Sequence, residues 1–434
     1  MNKTVSPSPL SGTLRVMPSK SASHRAVMMA ALAKGETELS PLQLSRDIEA
    51  TLACAQALGL TAQAGILPHA LPGFVSARIS GGQQAAAGGT RVLDCGESGS
   101  TLRFFIPLAL DGRGPVRFVG HGRLMQRPLD VYEEMFRPLG VRWERTEDSL
   151  TIEGRLQSGQ YFLRGDVSSQ FITGLLLALP QLAGNSVIRI TTKLESRAYV
   201  ELTRRVQAAF GIESFWKDAQ TLIVPGGQRP VSPGCAHVES DWSHAAFYLT
   251  AGCLSSAGPL MLHGLDMDSA QGDRAIVDIL RGMGAIIRCE GDVLTVCPSR
   301  LRACDVDASQ IPDLVPILAV AMAAADGESR ITGAARLRIK ESDRLAAMCA
   351  ALTACGADVA ELPDGLVIRG GRPFSGGTVN GCNDHRIVMA AAIAATVAEG
   401  PVIITDAQAV NKSYPSFFDA YNALGGFAHV ESDR

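Results

Sequence analysis

Basic and hydroxyl side chains cluster at the start of an apolar stretch near the N-terminus. Lys20, Ser21 and Arg25 fall within Pro18–Ala33, whose second half is apolar around most of its circumference. Such a stretch predicts a buried helix, capped by Ser21 or Ser23, with unpaired N–H groups and a partial positive charge at its start. Two cations buried there are costly unless an anion joins them, so the pattern predicts a phosphate or carboxylate site. The alternative is a solvated capping turn with two surface cations.

Five further apolar helical segments open on polar residues in the same way. Their opening residues are Glu97–Arg103, Ser168–Gln170, Asp241–His244, Gln310–Asp313 and Asn383–Arg386. If the helix starts of one domain share a face, their positive ends form a surface that attracts anions. Carboxylates such as that of Asp313 would lie on the same surface, where neighbouring cations shift their pKa values. The charge run Arg336–Arg344, taken alone, is typical of a solvated helix start.

Glycine spacing indicates a sixfold repeat that would position these helix starts. Helical patterns that end in a large residue and a glycine recur 69 to 81 residues apart, at Gly59, Gly140, Gly211, Gly284, Gly356 and Gly425. Each glycine is a candidate left-handed residue after a helix. Apolar helices end near a second series, at Gly35, Gly112, Gly184, Gly258, Gly327 and Gly400. The pattern predicts an α/β fold of two similar domains, each with three units built from an apolar helix, an amphipathic helix and strands.

Composition favours a globular protein that binds a small anion. At 434 residues, with 19% charged and 46% hydrophobic residues, two or three domains are expected. Residues 1–236 hold 25 Lys and Arg against 19 Asp and Glu, and residues 237–434 hold 15 against 24. The basic excess of the first half is too small, and too poor in clusters, to indicate nucleic-acid binding.

The cysteines and the lengths of the apolar segments indicate in which cellular compartment the protein works. The ten cysteines show no zinc spacing, which predicts reduced, buried thiols and no metal site. Residues 1–12 lack the apolar core of a secretory signal, and the longest apolar runs, 314–325 and 387–398, are too short to span a membrane. We expect a cytoplasmic monomer without a nucleic-acid or membrane partner.

Six motifs, in order along the chain, resemble the 5-enolpyruvylshikimate-3-phosphate (EPSP) synthase family of enolpyruvyl transferases. They are Pro18-Ser19-Lys20-Ser21 with Arg25, Gly99 with Arg103, Arg127-Pro128, Ser168-Ser169-Gln170, Arg338-Ile339-Lys340-Glu341-Ser342-Asp343-Arg344 and Asn383-Asp384-His385-Arg386. The resemblance runs from about residue 11 to the C-terminus. It implies two domains of three βαβαββ units each, with buried parallel helices arranged as an inside-out α/β barrel.

The resemblance also implies domain limits, 19–236 for a domain that binds mainly shikimate 3-phosphate and 1–18 with 237–434 for the other. The second domain would carry Asp313, Glu341 and part of the phosphoenolpyruvate site. The active site would lie in the interdomain cleft, and the domains would close on the substrates.

By resemblance, the reaction is the transfer of the enolpyruvyl group of phosphoenolpyruvate to the 5-hydroxyl of shikimate 3-phosphate. Addition and elimination through a tetrahedral intermediate release phosphate, on the path to chorismate and the aromatic amino acids. No metal or organic cofactor takes part in the family, and glyphosate inhibits it in the phosphoenolpyruvate site. The sensitivity of the Glu97–Ser100 loop of this chain to glyphosate stays open.

Site residues follow from the motif positions. The resemblance assigns shikimate 3-phosphate to Lys20, Ser21, Arg25, Ser168, Ser169, Gln170, Ser196, Tyr199, Asp313, Arg336 and Lys340. It assigns phosphoenolpyruvate to Lys20, Gly99, Arg103, Arg127, Gln170, Arg344, Arg386 and Lys412. It places the general base at Asp313 and the proton donor at Glu341, with Lys412 as a second candidate donor, Lys20 close to both substrates and His385 as an orienting group.

Two positions depart from the best-known family pattern. Glu97 stands beside the phosphoenolpyruvate loop where Asn is common, and it either weakens anion binding or points away to cap the helix. Arg336 stands where an Asn often contacts the shikimate phosphate, and it should strengthen anion binding.

Two alternatives to this function stay open at the level of sequence. UDP-N-acetylglucosamine enolpyruvyl transferase has a similar fold, but its loop cysteine has no counterpart in residues 120–127, and its Lys-Asn motif is Lys20-Ser21 here. A non-catalytic protein that binds anions or RNA ends would not need Asp313 together with Glu341.

Overall fold

A computed structural model describes residues 1–69, 71, 73–82 and 89–430 of the chain. Contacts between Cα atoms divide it into two compact units. The inserted unit is Pro18–Val238, and the terminal unit is Met1–Met17 together with Glu239–Arg434. It stays a prediction that the inserted unit binds mainly shikimate 3-phosphate and that the terminal unit carries part of the phosphoenolpyruvate site.

Helices and strands alternate through both units. The α-helices of the described residues are α1 Lys20–Leu32, α2 Arg46–Ala57, α3 Gly99–Ala109, α4 Asp130–Phe136, α5 Gln170–Ala178, α6 Arg197–Ala209, α7 Trp242–Leu254, α8 Ile276–Gly282, α9 Val315–Ala324, α10 Arg344–Ala354, α11 His385–Ala395 and α12 Phe417–Ala423. The first strands are β1 Lys3–Ser6, β2 Gly12–Arg15, β3 Gly35–Leu42, β4 Thr61–Pro68, β5 Val75–Gly81, β6 Arg91–Asp94, β7 Val116–Val119, β8 Arg142–Arg145, β9 Ser149–Glu153, β10 Gln160–Leu163, β11 Ser186–Ile190 and β12 Phe215–Asp218. The others are β13 Thr221–Val224, β14 Cys235–His237, β15 Leu260–His263, β16 Ile286–Glu290, β17 Val293–Cys297, β18 Val306–Asp307, β19 Glu328–Thr332, β20 Asp358–Leu362, β21 Gly365–Arg369, β22 Gly377–Asn380, β23 Val402–Thr405 and β24 Phe427–Val430.

The described strands form six four-stranded sheets that share one topology. In the inserted unit their strand orders are β14-β3-β5-β4, β6-β7-β9-β8 and β10-β11-β13-β12. In the terminal unit they are β2-β15-β17-β16, β18-β19-β21-β20 and β22-β23-β1-β24. The first two strands of each sheet pair in parallel and the remaining pairs are antiparallel, as in β6 with β7, β7 with β9 and β8 with β9. This is the βαβαββ unit six times over, which confirms the α/β fold expected from the sequence.

Three of the six sheets are completed by strands that are distant in sequence. β14 pairs in parallel with β3, so residues that end the inserted unit supply the first strand of its first sheet. β1 lies between β23 and β24, and β2 pairs with β15, so the N-terminal segment completes two sheets of the terminal unit. Both units therefore depend on pairing between chain segments more than 190 residues apart.

The apolar helices form the core of each unit. Nearly every residue of α1, α3 and α5 is buried in the inserted unit, and the same holds for α7, α9 and α11 in the terminal unit. A helix that is apolar on all sides can be stable in water only when protein surrounds it, so this burial follows from the sequence. All six glycines of the first series have a positive φ, between 71° and 103°, in agreement with their prediction as left-handed residues after helices.

Cysteine burial differs from the expectation. All ten cysteines lie within the described ranges and are free thiols, but only Cys54, Cys95, Cys253 and Cys355 are buried. The expectation of ten buried thiols is wrong because several cysteines occupy strand edges and turns, and Cys235 and Cys289 are exposed. No helix in the part of the chain that the structure describes has the length and apolar character needed to cross a bilayer.

Candidate active site

The start of α1 holds the first of the predicted site residues. Ser19 is its N-cap and accepts a hydrogen bond of 3.3 Å from the amide of Ala22, so the predicted cap at Ser21 or Ser23 is wrong. Pro18 keeps the chain extended just before Ser19 and thereby fixes where the helix begins. The ammonium of Lys20 lies 2.9 Å from Oδ2 of Asp47 on α2. The anion beside Lys20 in this structure is therefore a carboxylate of the protein.

Arg25 is buried and forms hydrogen bonds that connect α1 with α5 and α6. Its guanidinium donates to the hydroxyl of Thr203 at 2.8 Å, to that of Thr173 at 3.2 Å, and to the carbonyl oxygens of Tyr199 at 3.1 Å and Ser21 at 2.7 Å. Burial lowers the pKa of Arg25 to about 10, against the attraction of Tyr199. Four of the five N–H groups of the Arg25 guanidinium donate hydrogen bonds to described residues of the protein.

Four side chains or backbone positions converge around the start of α3, and we call Gly99, Arg103, Arg127 and Gln170 the Gly99 cluster. The guanidinium of Arg103 donates to Oε1 of Gln170 at 2.7 Å and to the carbonyl oxygen of Pro128 at 3.0 Å. A Cβ added at Gly99 would lie 2.6 Å from Nη1 of Arg127, 3.4 Å from Nη1 of Arg103 and 3.6 Å from Oε1 of Gln170. The absence of a side chain at Gly99 is what lets the two buried guanidinium groups approach the helix start.

Serines stand at the starts of α5 and α6. Ser168 and Ser169 are buried, and the hydroxyl of Ser168 accepts from the amide of Gln170 at 3.3 Å. Ser196 is buried, precedes α6 and has a left-handed backbone with φ of 54°. Tyr199 is half-buried, and its ring lies 5.8 Å from the Arg25 guanidinium. These hydroxyls thus stand at helix starts of the inserted unit, as the motifs predict.

Glu97 turns towards a neighbouring loop. A Cβ added at Gly122 would lie 2.7 Å from Oε2 of Glu97. Ser98 is the N-cap of α3 and accepts from the amide of Thr101 at 3.2 Å. Glu97 therefore does not cap this helix, and its carboxylate packs against the turn at Gly122.

In the terminal unit, one guanidinium holds three carboxylates, and we call Arg344, Asp313, Glu341 and Asp384 the Arg344 cluster. Arg344 is buried and donates to Asp384 at 2.8 Å, Asp313 at 3.0 Å and Glu341 at 2.7 Å. Burial opposes the charge, but the carboxylates of Asp384, Glu341 and Asp313 outweigh it and raise the pKa of Arg344. The two carboxylates predicted for acid and base roles thus share one cation.

Arg386 and Lys412 approach the same region of the terminal unit. The guanidinium of Arg386 donates to the backbone carbonyl of Asp313 at 2.9 Å and lies 3.4 Å from its carboxylate. Lys412 ends a short 3-10 helix, Ala407–Lys412, and donates to the carbonyl oxygen of Asn383 at 2.6 Å. The last helix, α12, begins only at Phe417, after Pro415.

The residues before α10 supply further cations. Arg336 is buried and donates to the carbonyl oxygen of Ser309 at 2.6 Å. Removal of water lowers the pKa of Lys340 to about 8; Arg336 and Arg344 add to this effect, and Asp313 and Glu341 oppose it. An amine with this pKa is partly neutral just above neutral pH, so its affinity for an anion falls as the pH rises.

Histidines at helix starts are held by protein contacts. His385 follows the N-cap Asp384 and is 2% exposed, with Nδ1 at 3.9 Å from the Asp384 carboxylate. The ring of His244 packs 4.8 Å from that of Tyr414. His385 thus lies beside Arg386 where the motif places it, and its orienting role stays a prediction.

Sequence reasoning did not select three carboxylates that the structure places in these clusters. Asp47 pairs with Lys20, Asp384 receives Arg344 and Ser342, and buried Asp273 accepts from the hydroxyl of Ser243. Burial raises the pKa of Asp273 to about 7, with Asp313 adding to the rise and Arg386 opposing it. The only sequence signal was local: Asp384 lies inside a quoted motif, and Asp273 lies in Gln271-Gly272-Asp273 before α8.

Each unit thus presents a set of candidate anion-binding groups, and carboxylates accompany the cations in both units, Asp47 in one and Asp313, Glu341 and Asp384 in the other. Within the described ranges, no group of three or more His, Cys, Asp and Glu side chains has the arrangement of a metal site. Guanidinium groups beside paired carboxylates can bind phosphate and carboxylate while moving protons. Fold and site together define the class of enolpyruvyl transferases.

Comparison with known proteins identifies the family. The family model described as EPSP synthase (3-phosphoshikimate 1-carboxyvinyltransferase) matches residues 5–421. A 3-phosphoshikimate 1-carboxyvinyltransferase from Clostridium novyi (strain NT) is 42% identical over 427 residues, which cover 98% of each chain. An EPSP synthase structure from Acinetobacter baumannii has a TM-score of 0.79 at 26% identity and covers 99% of this chain and 100% of its own. An enolpyruvyl transferase from Streptomyces tendae, at 18% identity and a TM-score of 0.78, has the same fold and covers 99% of this chain and 98% of its own.

The chain therefore belongs to the EPSP synthase family. It is a transferase of the shikimate pathway, which confirms the family, fold and enzyme class expected from the motifs. The family match also selects this function over the two alternatives left open by the sequence.

Proposed function

We propose that this chain transfers the enolpyruvyl group of phosphoenolpyruvate to the 5-hydroxyl of shikimate 3-phosphate, using residues of both units. The observation that carries the proposal is the Arg344 cluster, in which one buried guanidinium holds the carboxylates of Asp313 and Glu341. A reaction that removes a proton at one atom and delivers one at another needs two such groups, kept apart but fixed. The family match over residues 5–421 supplies the substrates.

The addition step needs a base and an acid. Asp313 accepts the proton of the 5-hydroxyl while the oxygen forms a bond to C2 of phosphoenolpyruvate. The electron pair of the C2–C3 double bond takes a proton from Glu341, and C3 becomes a methyl group in a tetrahedral intermediate. Elimination then removes a proton from that methyl group as the C2–O bond to phosphate breaks. Lys412 is the second candidate for the proton on C3.

Cations of both units are proposed to bind phosphoenolpyruvate. The Gly99 cluster supplies Arg127 and Gln170, with Arg103 held behind them by Pro128, and the terminal unit supplies Arg344, Arg386 and Lys412. Planar guanidinium groups bind phosphate and carboxylate oxygens through paired N–H groups. Lys20 would bind the same ligand, and its ion pair with Asp47 leaves it in a fixed position until an anion competes.

Hydroxyls and cations at helix starts are proposed to bind shikimate 3-phosphate. The set is Lys20, Ser21, Arg25, Ser168, Ser169, Gln170, Ser196, Tyr199, Arg336 and Lys340, with Asp313 at the reacting hydroxyl. Arg25 holds α1, α5 and α6 with four N–H groups, so it contributes at most one to the ligand. Ser168, Ser169 and Ser196 lie at the starts of α5 and α6, and Lys340 lies just before α10.

Replacement of the proposed base tests the mechanism. Asp313→Asn should lower kcat by roughly 10²- to 10⁴-fold, because the amide cannot accept the hydroxyl proton. Shikimate 3-phosphate should still bind, as measured by calorimetry, while phosphate release reports turnover. Asp326→Asn, at an exposed carboxylate of the same unit, is the matched control. Full activity of Asp313→Asn, or failure of the wild type to bind shikimate 3-phosphate, would contradict the proposal.

We also propose that the chain works as a cytoplasmic monomer whose two units close on the substrates. Its substrates are small polar anions, and the strands of each unit form complete four-stranded sheets within that unit. Light scattering at micromolar concentration measures the mass, and a dimer mass would contradict the first part. Small-angle scattering with and without both ligands measures closure, and identical curves would contradict the second.

A further inference from the structure

Buried hydroxyls connect His24 on α1 to the N-cap of α3 through a continuous chain of hydrogen bonds. Nδ1 of His24 lies 2.7 Å from the hydroxyl of Thr51, which lies 2.7 Å from that of Thr101. The Thr101 hydroxyl donates to Oγ of Ser98 at 2.7 Å. All four side chains are at most 1% exposed. The chain thus crosses from α1 through α2 to α3 without contact with solvent.

Proton counting gives this chain a direction. Thr101 gives its hydroxyl proton to Ser98, so the contact between Thr51 and Thr101 takes the single hydroxyl proton of Thr51, for which the carbonyl oxygen of Asp47 at 3.0 Å is the competing acceptor. The contact between Thr51 and His24 can then form only if Nδ1 of His24 is the donor. Nε2 of His24 has no hydrogen-bond partner among the described residues, as expected for the nitrogen without a proton. Burial, with Lys20 and Arg25 adding to it, lowers the pKa of His24, so the ring is neutral.

The chain ends at the atom that fixes the start of α3. Oγ of Ser98 accepts both the Thr101 hydroxyl and the Thr101 amide, and Gly99 follows directly in the sequence. The position of Gly99 decides where Arg127 approaches, since a Cβ there would lie 2.6 Å from the Arg127 guanidinium. The other end of this chain of hydrogen bonds is His24, which lies on α1, the helix that begins at Lys20. The orientation of two helix starts is therefore coupled through Thr51.

We propose that His24, Thr51, Thr101 and Ser98 are positioning residues that hold the start of α3 in place for phosphoenolpyruvate. This inference rests on the proposed assignment of Gly99 and Arg127 to that substrate. None of the four is proposed to touch the reacting atoms. Their effect is on how well the Gly99 cluster is arranged before the substrate arrives.

Thr51→Val removes the central hydroxyl at nearly constant volume. It should raise the KM for phosphoenolpyruvate by roughly three- to tenfold, the effect of one hydrogen bond. The KM for shikimate 3-phosphate and kcat should change less than about twofold, and Thr51→Ser should restore wild-type values. Thr37→Val is the matched control, because Thr37 is buried in the same unit and bonded to the Ser232 hydroxyl. A Thr51→Val enzyme in which neither KM changes, or both rise equally, would overturn the proposal.

The tautomer of His24 tests the direction of these hydrogen bonds in an experiment that needs no enzyme activity. In ¹⁵N-histidine-labelled wild-type protein, with His24 assigned from the spectrum of His24→Gln, the proton should lie on Nδ1. A proton on Nε2 would overturn the direction of the chain, whatever substrate the protein uses. A wild-type protein with the expected tautomer but no turnover of the two substrates would instead contradict the proposed function.

Discussion

At the scale of the residue, several buried or half-buried charges of the candidate site are paired with charges of opposite sign. Arg344 serves three carboxylates, and Lys20 is held by Asp47. Removal of one partner of such a buried group typically costs several kcal/mol, because the other is left charged in a poorly hydrated place. Asp273 is different, since burial, with Asp313 adding to it, raises its pKa to about 7 and favours the neutral acid.

The raised pKa of Asp273 predicts a pH-dependent stability. Between about pH 4 and pH 7 the folded protein keeps a proton on Asp273 that the unfolded chain has lost, so folding becomes less favourable as the pH rises. Asp273→Asn has no such proton, so its stability relative to the wild type should rise through this window, by on the order of a few kcal/mol, and level off above about pH 7. Urea unfolding from pH 4 to pH 8 measures the difference. A gap between the two proteins that is constant over pH would contradict the prediction, and Asp326→Asn is the control.

The pairing of residues explains why sequence reasoning found some site residues and missed others. Lys340, Glu341, Arg344 and Arg386 stand in recognisable motifs, so their positions could be named without a structure. Asp47 could not be named, because its role depends on the fold bringing a residue 27 positions away to Lys20. The direction of a hydroxyl chain such as that through Thr51 depends on packing between helices and leaves no local pattern.

At the scale of the element, helix starts carry the candidate site residues of the inserted unit. The helices themselves could be predicted, because a run of apolar residues on all sides has one stable solution in a globular protein. The cap of α1 could not, since three serines compete for that role within five residues and the extended backbone after Pro18 selects Ser19. The completion of sheets by β1, β2 and β14 could not be predicted from local patterns either, because each of these strands pairs with a segment that is distant in the sequence.

Replacement of Gly99 tests how closely α3 and Arg127 approach. The Cβ of Gly99→Ala would lie 2.6 Å from the Arg127 guanidinium, so that flexible group must shift. The KM for phosphoenolpyruvate should rise by roughly tenfold or more, because a displaced guanidinium loses paired hydrogen bonds to the anion. Steady-state kinetics measures it, with Gly159→Ala as control, since nothing lies within 4 Å of a Cβ there. An unchanged KM would contradict this prediction.

At the scale of the whole molecule, the N-terminal segment belongs to the terminal unit. β1 lies between β23 and β24, so its removal leaves both without a partner on one side. Deletion of residues 1–6 should therefore destabilise the terminal unit and leave the inserted unit folded. Hydrogen exchange followed by mass spectrometry should show lost protection in β23, β24 and α11 but not in α1 or α3. Uniform loss of protection in both units would contradict this.

The central claim is that residues of both units bind one pair of substrates. The most direct test is an experimental structure with shikimate 3-phosphate and an unreactive phosphoenolpyruvate analogue. We predict that the analogue contacts Arg127 and Arg386, and that the 5-hydroxyl of shikimate 3-phosphate lies at the Asp313 carboxylate. Ligands bound by one unit alone, or a 5-hydroxyl remote from Asp313, would contradict it.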